Sequence, residues 1–323
     1  MGKATAAAHT IQGLLKYHGL RNKKLRLPFH DSISVCVKEL TTTATVDFSP
    51  EYTEDGIQIN GNLAKGTEAQ RVLVVIDALR KLTKVRDHVK VDSRNNLDKA
   101  KGVGFSAAAF ASVAFAASNA LNLKIDLSRL SEIARLGSGS SSRSLVGGFS
   151  IWYANKRGRS YAQQLDDGTR VKLAMGIVPL ASPVKTDMAH EESTTSPFFA
   201  SRVETVKATI PRMIRAIKNG ELAEVCKLAE MDSLNLHAVT MTGRQELVLV
   251  APETINVIRR VRTLREEKGI PVWYSLDTGP SVFLNTQPNY LDKVCDDIQD
   301  NLNLPIIRSG VGGPAHTLDQ HLF

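Results

Sequence analysis

Three segments of this 323-residue chain gather residue types suited to chemistry on anions. The first is Lys101-Gly102-Val103-Gly104-Phe105-Ser106, which runs into an Ala-rich stretch. Its glycines permit close backbone approach, and a helix start offers unpaired N–H groups at the positive end of its dipole, so phosphate is the natural guest. Neither the Walker A spacing nor a full GxGxxG is present, and a plain strand-to-helix turn is the alternative. The second is Gly137-Ser138-Gly139-Ser140-Ser141-Ser142-Arg143-Ser144, closed by Gly147-Gly148. Hydroxyls beside one guanidinium suit a phosphate or a carboxylate, which Arg grips in bidentate fashion; a flexible linker is the bland reading, but a linker needs no Arg at its centre. The third, Ser275-Leu276-Asp277-Thr278-Gly279-Pro280-Ser281, sets an Asp at the end of an apolar strand, aimed into a cleft or capping its own turn. Arg308-Ser309-Gly310-Val311-Gly312-Gly313 adds a further glycine-rich loop. His18, His30, His190, His237 and His316 have no metal-ligand spacing and read as core or hydrogen-bonding histidines.

The elements that must carry these segments follow from periodicity. Strand patterns occupy 32–37, 41–48, 57–59 and 90–92, with Asn60-Gly61 as a hairpin turn. Residues 70–84 have helical spacing, 106–120 form a buried Ala-rich helix, and 127–136 form another. Strands are expected at 149–153 and 171–178. A Ser/Thr/Pro-rich stretch, 182–197, then reads as a long loop and a domain boundary. Helices at 198–219, 222–237, 252–268 and 290–301 are interleaved with strands at 272–276, 281–284 and 305–307. Strands and helices mix without strict βαβ alternation, so the class is α+β in two domains, 1–182 and 183–323.

Composition bounds the rest. With 42% hydrophobic and 23% charged residues the chain folds into a substantial core. No apolar stretch is long enough for a membrane span and no signal-peptide pattern opens the sequence, so a cytoplasmic protein without a membrane partner is expected. The net charge of +8 suits nucleic acid or a small anionic substrate equally, but aromatics are only 6% and the basic residues are scattered. That argues against nucleic acid. Cys36, Cys226 and Cys295 form neither a disulfide pattern nor a metal cluster and read as core thiols.

In this order the segments resemble the GHMP kinase superfamily and, within it, the mevalonate diphosphate decarboxylases. Leu14-Leu15-Lys16-Tyr17-His18-Gly19 resembles that family's LIKYWGK, and residues 27–35, Leu-Pro-Phe-His-Asp-Ser-Ile-Ser-Val, resemble its LPLNSSISV. Gly102 to Ala108 stands where the family has GLASSAA, Arg135 to Phe149 is similar to ARQGSGSACRSLYGGF, and Asp277 to Val282 to DAGPNV. The resemblance implies an N-terminal mixed sheet with helices and a C-terminal ferredoxin-like α/β sandwich. It implies ATP phosphates at Gly102, Gly104 and Ser106, with Mg²⁺ as a cofactor to which no residue is assigned, and substrate at Tyr17, Ser138, Ser140 and Arg143, with Arg143 on a carboxylate. It further implies a catalytic Asp277 paired with Lys16, and a reaction that phosphorylates a tertiary hydroxyl and then expels phosphate and carbon dioxide to leave an alkene. A homodimer is compatible with the family.

Departures from the pattern refine the expectation. The second Lys of LIKYWGK is Leu20, the Trp is His18, and Asn-Ser of LPLNSS is His30-Asp31. KYHG with PFHDSISV is most similar to the phosphomevalonate decarboxylases of archaea and Chloroflexi, which implies mevalonate 5-phosphate as substrate and isopentenyl phosphate as product. Phe105 replaces the first Ser of GLASSAA and can neither donate to a phosphate nor ligate Mg²⁺. The alternatives are therefore an ATP-independent mevalonate 3,5-bisphosphate decarboxylase, a diphosphate decarboxylase, a mevalonate 3-kinase and a noncatalytic binding protein.

Overall fold

The computed structural model describes residues 2–97, 103–182, 184 and 186–323. The N-terminal half is built on two long strands, β1 (Lys3–Leu15) and β4 (Ser32–Ser49), paired antiparallel along their length. Between them β2 (Leu20–Asn22) and β3 (Leu27–Pro28) make a separate hairpin. After β4 come β5 (Gly56–Ile59), β6 (Asn62–Leu63), helix α1 (Gly66–Thr83) and β7 (His88–Asn95). Then follow α2 (Phe105–Ala120), α3 (Leu127–Gly137), α4 (Ser141–Val146), β8 (Phe149–Trp152) and β9 (Ala162–Asp166).

β4 has partners on both edges: β1 on one, and β8 then β7 on the other. β5 joins β7 in parallel, and β6 closes the hairpin at Asn60-Gly61. Helix α2 lies on β1 and β4. Its buried face is Ala107, Ala108, Ala111, Ala114 and Ala117, and side chains this small bring the helix close to the sheet. α1 adds Val72, Val75, Ile76 and Leu79, the i, i+3, i+4, i+7 stripe of an amphipathic helix.

The C-terminal half comprises β10 (Ala174–Val178), α5 (Thr186–Ser193), α6 (Phe199–Asn219), α7 (Leu222–Met241) and α8 (Pro252–Glu266). β11 (Val272–Leu276), β12 (Val282–Thr286), α9 (Leu291–Leu302), β13 (Ile307–Gly310) and β14 (His316–Leu318) complete it. Its sheet is antiparallel in the order β11-β12-β10-β13. Alternation along β11 sends Val272, Tyr274 and Leu276 to a core with α8 and α9. Trp273 faces a second core with α6, α7, Leu14, Ile33 and Phe149, which joins the two halves.

β10 hydrogen-bonds into the second sheet, so sheet membership changes between β9 and β10. One expectation, a long loop over 182–197, is corrected. Composition at 182–197 reports exposure, not strand partnership. That stretch also holds α5, whose Ala189, His190, Glu192 and Ser193 are buried. Within the segment 137–148 the short helix α4 forms. Gly147 ends α4 at φ +71°, and a Cβ there would sit 2.2 Å from the Pro314 backbone nitrogen. Gly147→Ala is expected to destabilise the fold by about 3 kcal/mol or more, from strain plus overlap. Thermal unfolding checks it, and an unchanged Tm would contradict this packing.

Candidate functional site

The end of β1 and the end of β11 meet at Gly13. Its backbone N–H donates to Asp277 Oδ1 at 2.9 Å, and a Cβ on Gly13 would lie 2.8 Å from that oxygen and 2.6 Å from Lys16 Cγ. Glycine at this position therefore lets Asp277 and the Lys16 stem flank one backbone unit. Asp277 is only partly buried and so remains open to a ligand. Burial raises its carboxyl above the usual range, against the opposing pull of Lys16, the Gly13 N–H and Arg143.

The expected Lys16–Asp277 ion pair is replaced by another. Lys16 Nζ lies 3.7 Å from Asp232 Oδ2 and donates to Ser233 Oγ at 3.3 Å, while the Lys16 backbone N–H donates to Asp232 Oδ2 at 2.9 Å. Arg202 Nη2 is 3.2 Å from Asp232 Oδ1 and donates to the Lys16 carbonyl at 2.9 Å. Among the described residues Asp277 has no ion pair. Two carboxylates flank the start of the Lys16–Tyr17 segment, and the deeper one takes the ammonium. Burial lowers the Lys16 pKa, with Asp232 the largest opposing charge.

Arg143, on α4, is 2% exposed, and its Nε and Nη1 have no hydrogen-bond partner among the described residues. Its guanidinium lies 5.5 Å from the Tyr17 ring and 5.9 Å from that of Trp152, and burial pushes its pKa down to about 10. Tyr17 packs edge-on against Trp152 at 4.8 Å and stacks on His190 at 4.7 Å. Ser138 and Ser140 share a hydrogen bond of 3.0 Å in the turn before α4. Thus Lys16, Tyr17, Ser138, Ser140, Arg143 and Asp277, widely spaced in the sequence, converge.

Beyond His190 lies a cavity of about 250 Å³ lined by Leu20, Lys23, Arg26, Asp187, His190, Glu191 and Thr194. Its cations are already engaged: Arg26 with Asp187 at 3.4 Å and Lys23 with Glu191 at 2.7 Å. Arg21 turns away, donating to the carbonyls of Pro28 and Ala154.

Gly104 caps α2 in the left-handed conformation with open space, among the described residues, where a Cβ would stand, and Ser106 is exposed in the first turn. Phe105 turns toward the core shared by the two halves, leaving the hydroxyl of Ser106 facing solvent. One turn further along α2, the Phe110 ring abuts Gly137 at the end of α3. Gly102 lies outside the described residues, as does Lys185.

Asp232, Ser233 and Arg202 escaped the sequence reading, whereas His237, read as a core or hydrogen-bonding histidine, bonds the Asp277 carbonyl. The trace they leave is a break in an apolar stripe: on α7, Asp232 and Ser233 stand between buried Leu228 and Ala229 and buried Leu236.

Comparison with known proteins gives the family and the fold. Family models described as a diphosphomevalonate decarboxylase-like N-terminal domain and a mevalonate 5-diphosphate decarboxylase C-terminal domain match residues 8–162 and 185–307. The phosphomevalonate decarboxylase of Haloferax volcanii is 39% identical over 98% of both chains. The diphosphomevalonate decarboxylase of Candida albicans is 30% identical, covering 91% of this chain and 87% of that one. The structure of mevalonate diphosphate decarboxylase from Staphylococcus aureus superposes with a TM-score of 0.92 at 26% identity, covering 98% of each chain. A structure of MDDEF in complex with MVAPP, AMPPCP and magnesium gives 0.91 at 26% identity, covering 99% of each. Fold and site define a GHMP-type α+β scaffold, and within that class the chain belongs to the mevalonate diphosphate decarboxylase family. Among the described residues no helix is long and apolar enough to cross a membrane.

Proposed function

We propose that this chain is a phosphomevalonate decarboxylase, converting mevalonate 5-phosphate and ATP to isopentenyl phosphate, ADP, phosphate and carbon dioxide. The observation that carries the reading is Arg143, a buried guanidinium with two unmet donors beside Asp277. Around it Lys16, Arg143 and Arg202 stand against Asp232 and Asp277, so the site is one anion short, and a substrate carboxylate on Arg143 closes the balance. Tyr17, Ser138 and Ser140 complete the substrate cradle. The chain resembles the Haloferax phosphomevalonate decarboxylase along its length.

The open cradle at Gly104 and the exposed Ser106 at the start of α2 fit the phosphates of ATP with its Mg²⁺, the group that supplies the transferable phosphoryl and neutralises its charge. Asp277, its Oδ1 fixed by Gly13, accepts the proton of the substrate's tertiary hydroxyl as that oxygen takes up the phosphoryl group. The C3–O bond then breaks with phosphate as leaving group, the C1–C2 pair becomes the C2=C3 bond, and carbon dioxide departs. Arg143 positions the carboxylate; because that charge disappears in the final step, a tighter grip would oppose it. We place the protein in the cytoplasm, in keeping with three buried free thiols.

Release of carbon dioxide from mevalonate 5-phosphate with ATP and Mg²⁺, followed by mass spectrometry, tests the reading. Release from mevalonate 3,5-bisphosphate alone, with none from the monophosphate and ATP, overturns it.

The cavity sets the phosphate count. Leu20 offers no charge, and Arg26 and Lys23 are already matched by Asp187 and Glu191, so among the described residues the additional charge of a diphosphate goes unmet. An unmet charged oxygen costs on the order of 1–3 kcal/mol, so kcat/KM for mevalonate 5-phosphate is expected to exceed that for the 5-diphosphate by about tenfold to a hundredfold. Leu20→Lys should narrow the gap. Equal or better use of the diphosphate in steady-state kinetics would reassign the substrate.

A further inference from the structure

The face of α7 toward the site holds both catalytic groups at once. Asp232 takes the Lys16 backbone N–H and ammonium, and Ser233 Oγ accepts from Lys16 Nζ at 3.3 Å and from the Leu276 N–H at 2.9 Å. His237 Nε2–H donates to the Asp277 carbonyl at 3.1 Å. Arg202 on α6, its side chain fully buried, is fixed by Asn235 at 2.6 Å and holds the Lys16 carbonyl. Both main-chain polar groups of Lys16 are thus gripped from outside β1, which locks the residue against the helix.

We propose that Asp232 is a positioning residue that holds the Lys16 ammonium off Asp277, leaving the Asp277 carboxylate free to take the substrate proton. The inference rests on the functional reading above. A Lys16–Asp277 contact would have the opposite effect, since an ammonium in contact with a carboxylate lowers its basicity and occupies its lone pairs. The groups facing Asp277 are Lys16 after β1, Arg143 on α4, and Asp232 and His237 on α7; the last is held neutral by burial, with its pKa lowered to about 4. Asp232 therefore acts twice in one direction. Its own charge raises the Asp277 pKa, and its hold on Lys16 keeps the ammonium out of contact with Asp277, which limits the lowering that this cation exerts.

Asp232→Asn keeps an acceptor for the Lys16 N–H but loses the charge. The Asp277 carboxyl is then expected to titrate about one pH unit lower or more, with Lys16 free to swing across. The acid limb of the pH–kcat profile moves down with it, and Asp232→Glu, which restores the charge, returns the limb toward its original position. The direct readout is carboxyl-carbon NMR of the ligand-free protein labelled in aspartate, with the Asp277 resonance assigned by its loss in Asp277→Asn. Should Asp232→Asn fail to fold, Ser233→Ala removes one of the two holds on the Lys16 ammonium without removing charge and should shift the same resonance in the same direction by less. An Asp277 pKa that is unchanged or higher in the folded variant overturns the inference whatever happens to turnover. Absence of carbon dioxide release by the wild-type protein overturns the functional reading instead, and the NMR titration still decides the role of Asp232.

Discussion

Asp277→Asn is expected to lose about 10²–10⁴-fold in carbon dioxide release from mevalonate 5-phosphate while substrate affinity and Tm hold. The substitution removes basicity and charge at nearly constant volume, and the asparagine oxygen can still accept the Gly13 N–H that positions the aspartate. Rapid-quench turnover, isothermal titration with substrate and a thermal melt together check this. A loss below about tenfold would assign Asp277 to orienting the hydroxyl rather than taking its proton, because an amide can orient but cannot act as a base at neutral pH. A collapse in Tm would show that the aspartate holds β1 against β11 through its charge.

Arg143 should give a paired result of opposite signs. Arg143→Lys is expected to lower kcat/KM by roughly 30-fold to several thousand-fold, because an ammonium cannot reproduce a planar two-point grip on a buried carboxylate. Arg143→Met should abolish substrate use yet raise the Tm. In the ligand-free protein the guanidinium is buried with two donors unmet, and the fall of its pKa to about 10 from the usual arginine range corresponds to a cost on the order of 3 kcal/mol to the folded state. The sign follows from the protons. The unfolded chain keeps this proton to higher pH than the folded one, so below about pH 10 both states hold it and the cost is complete and constant. It fades only as pH rises through that value, and the gain in Tm should therefore be the same at pH 6 and pH 8. A fall of several degrees in Arg143→Met would mean that the fold itself satisfies the guanidinium, and the substrate assignment would fail with it.

How far the sequence discloses this site depends on whether a residue sits in a local or a tertiary context. Arg143 stands on a short helix entered through a Gly/Ser turn and Asp277 in the turn before Gly279-Pro280, and both turns have residue types dictated by short-range backbone geometry, so the segment itself carries the information. The buried Ala-rich α2 and the amphipathic α1 are likewise written in their own periodicity. Asp232 and Arg202 are different. Each lies in a helix whose spacing reports which face is buried, but nothing local says that a buried charge will find its partner across the fold. The sheet that β10 joins is hidden for the same reason: its apolar run fixes that it is a central strand, and the choice of sheet is made by β12 and β13, both more than a hundred residues later. Helix α5 was hidden because its sequence, Thr-Asp-Met-Ala-His-Glu-Glu-Ser, is polar, and it is pinned by burial of His190, whose Nδ1 accepts the Gly19 N–H.

The outermost strand beside β1 is β14, in register Thr5 with Leu318 and Ala7 with His316, and the backbone of Gly312 bonds both Cys36 and Gly148. On a ribosome, the first sheet of the nascent chain would therefore stand with an open edge along β1 while the whole second sheet is still being made. An unpaired edge invites pairing with neighbouring chains, and contacts this distant in sequence form late because loop closure must come first. The arrangement couples completion of the first sheet to synthesis of the chain as far as Leu318. Lys16 and Asp277 thus come into register only once the chain has been made far enough to contain both strand ends, and β14 closes the sheet after that.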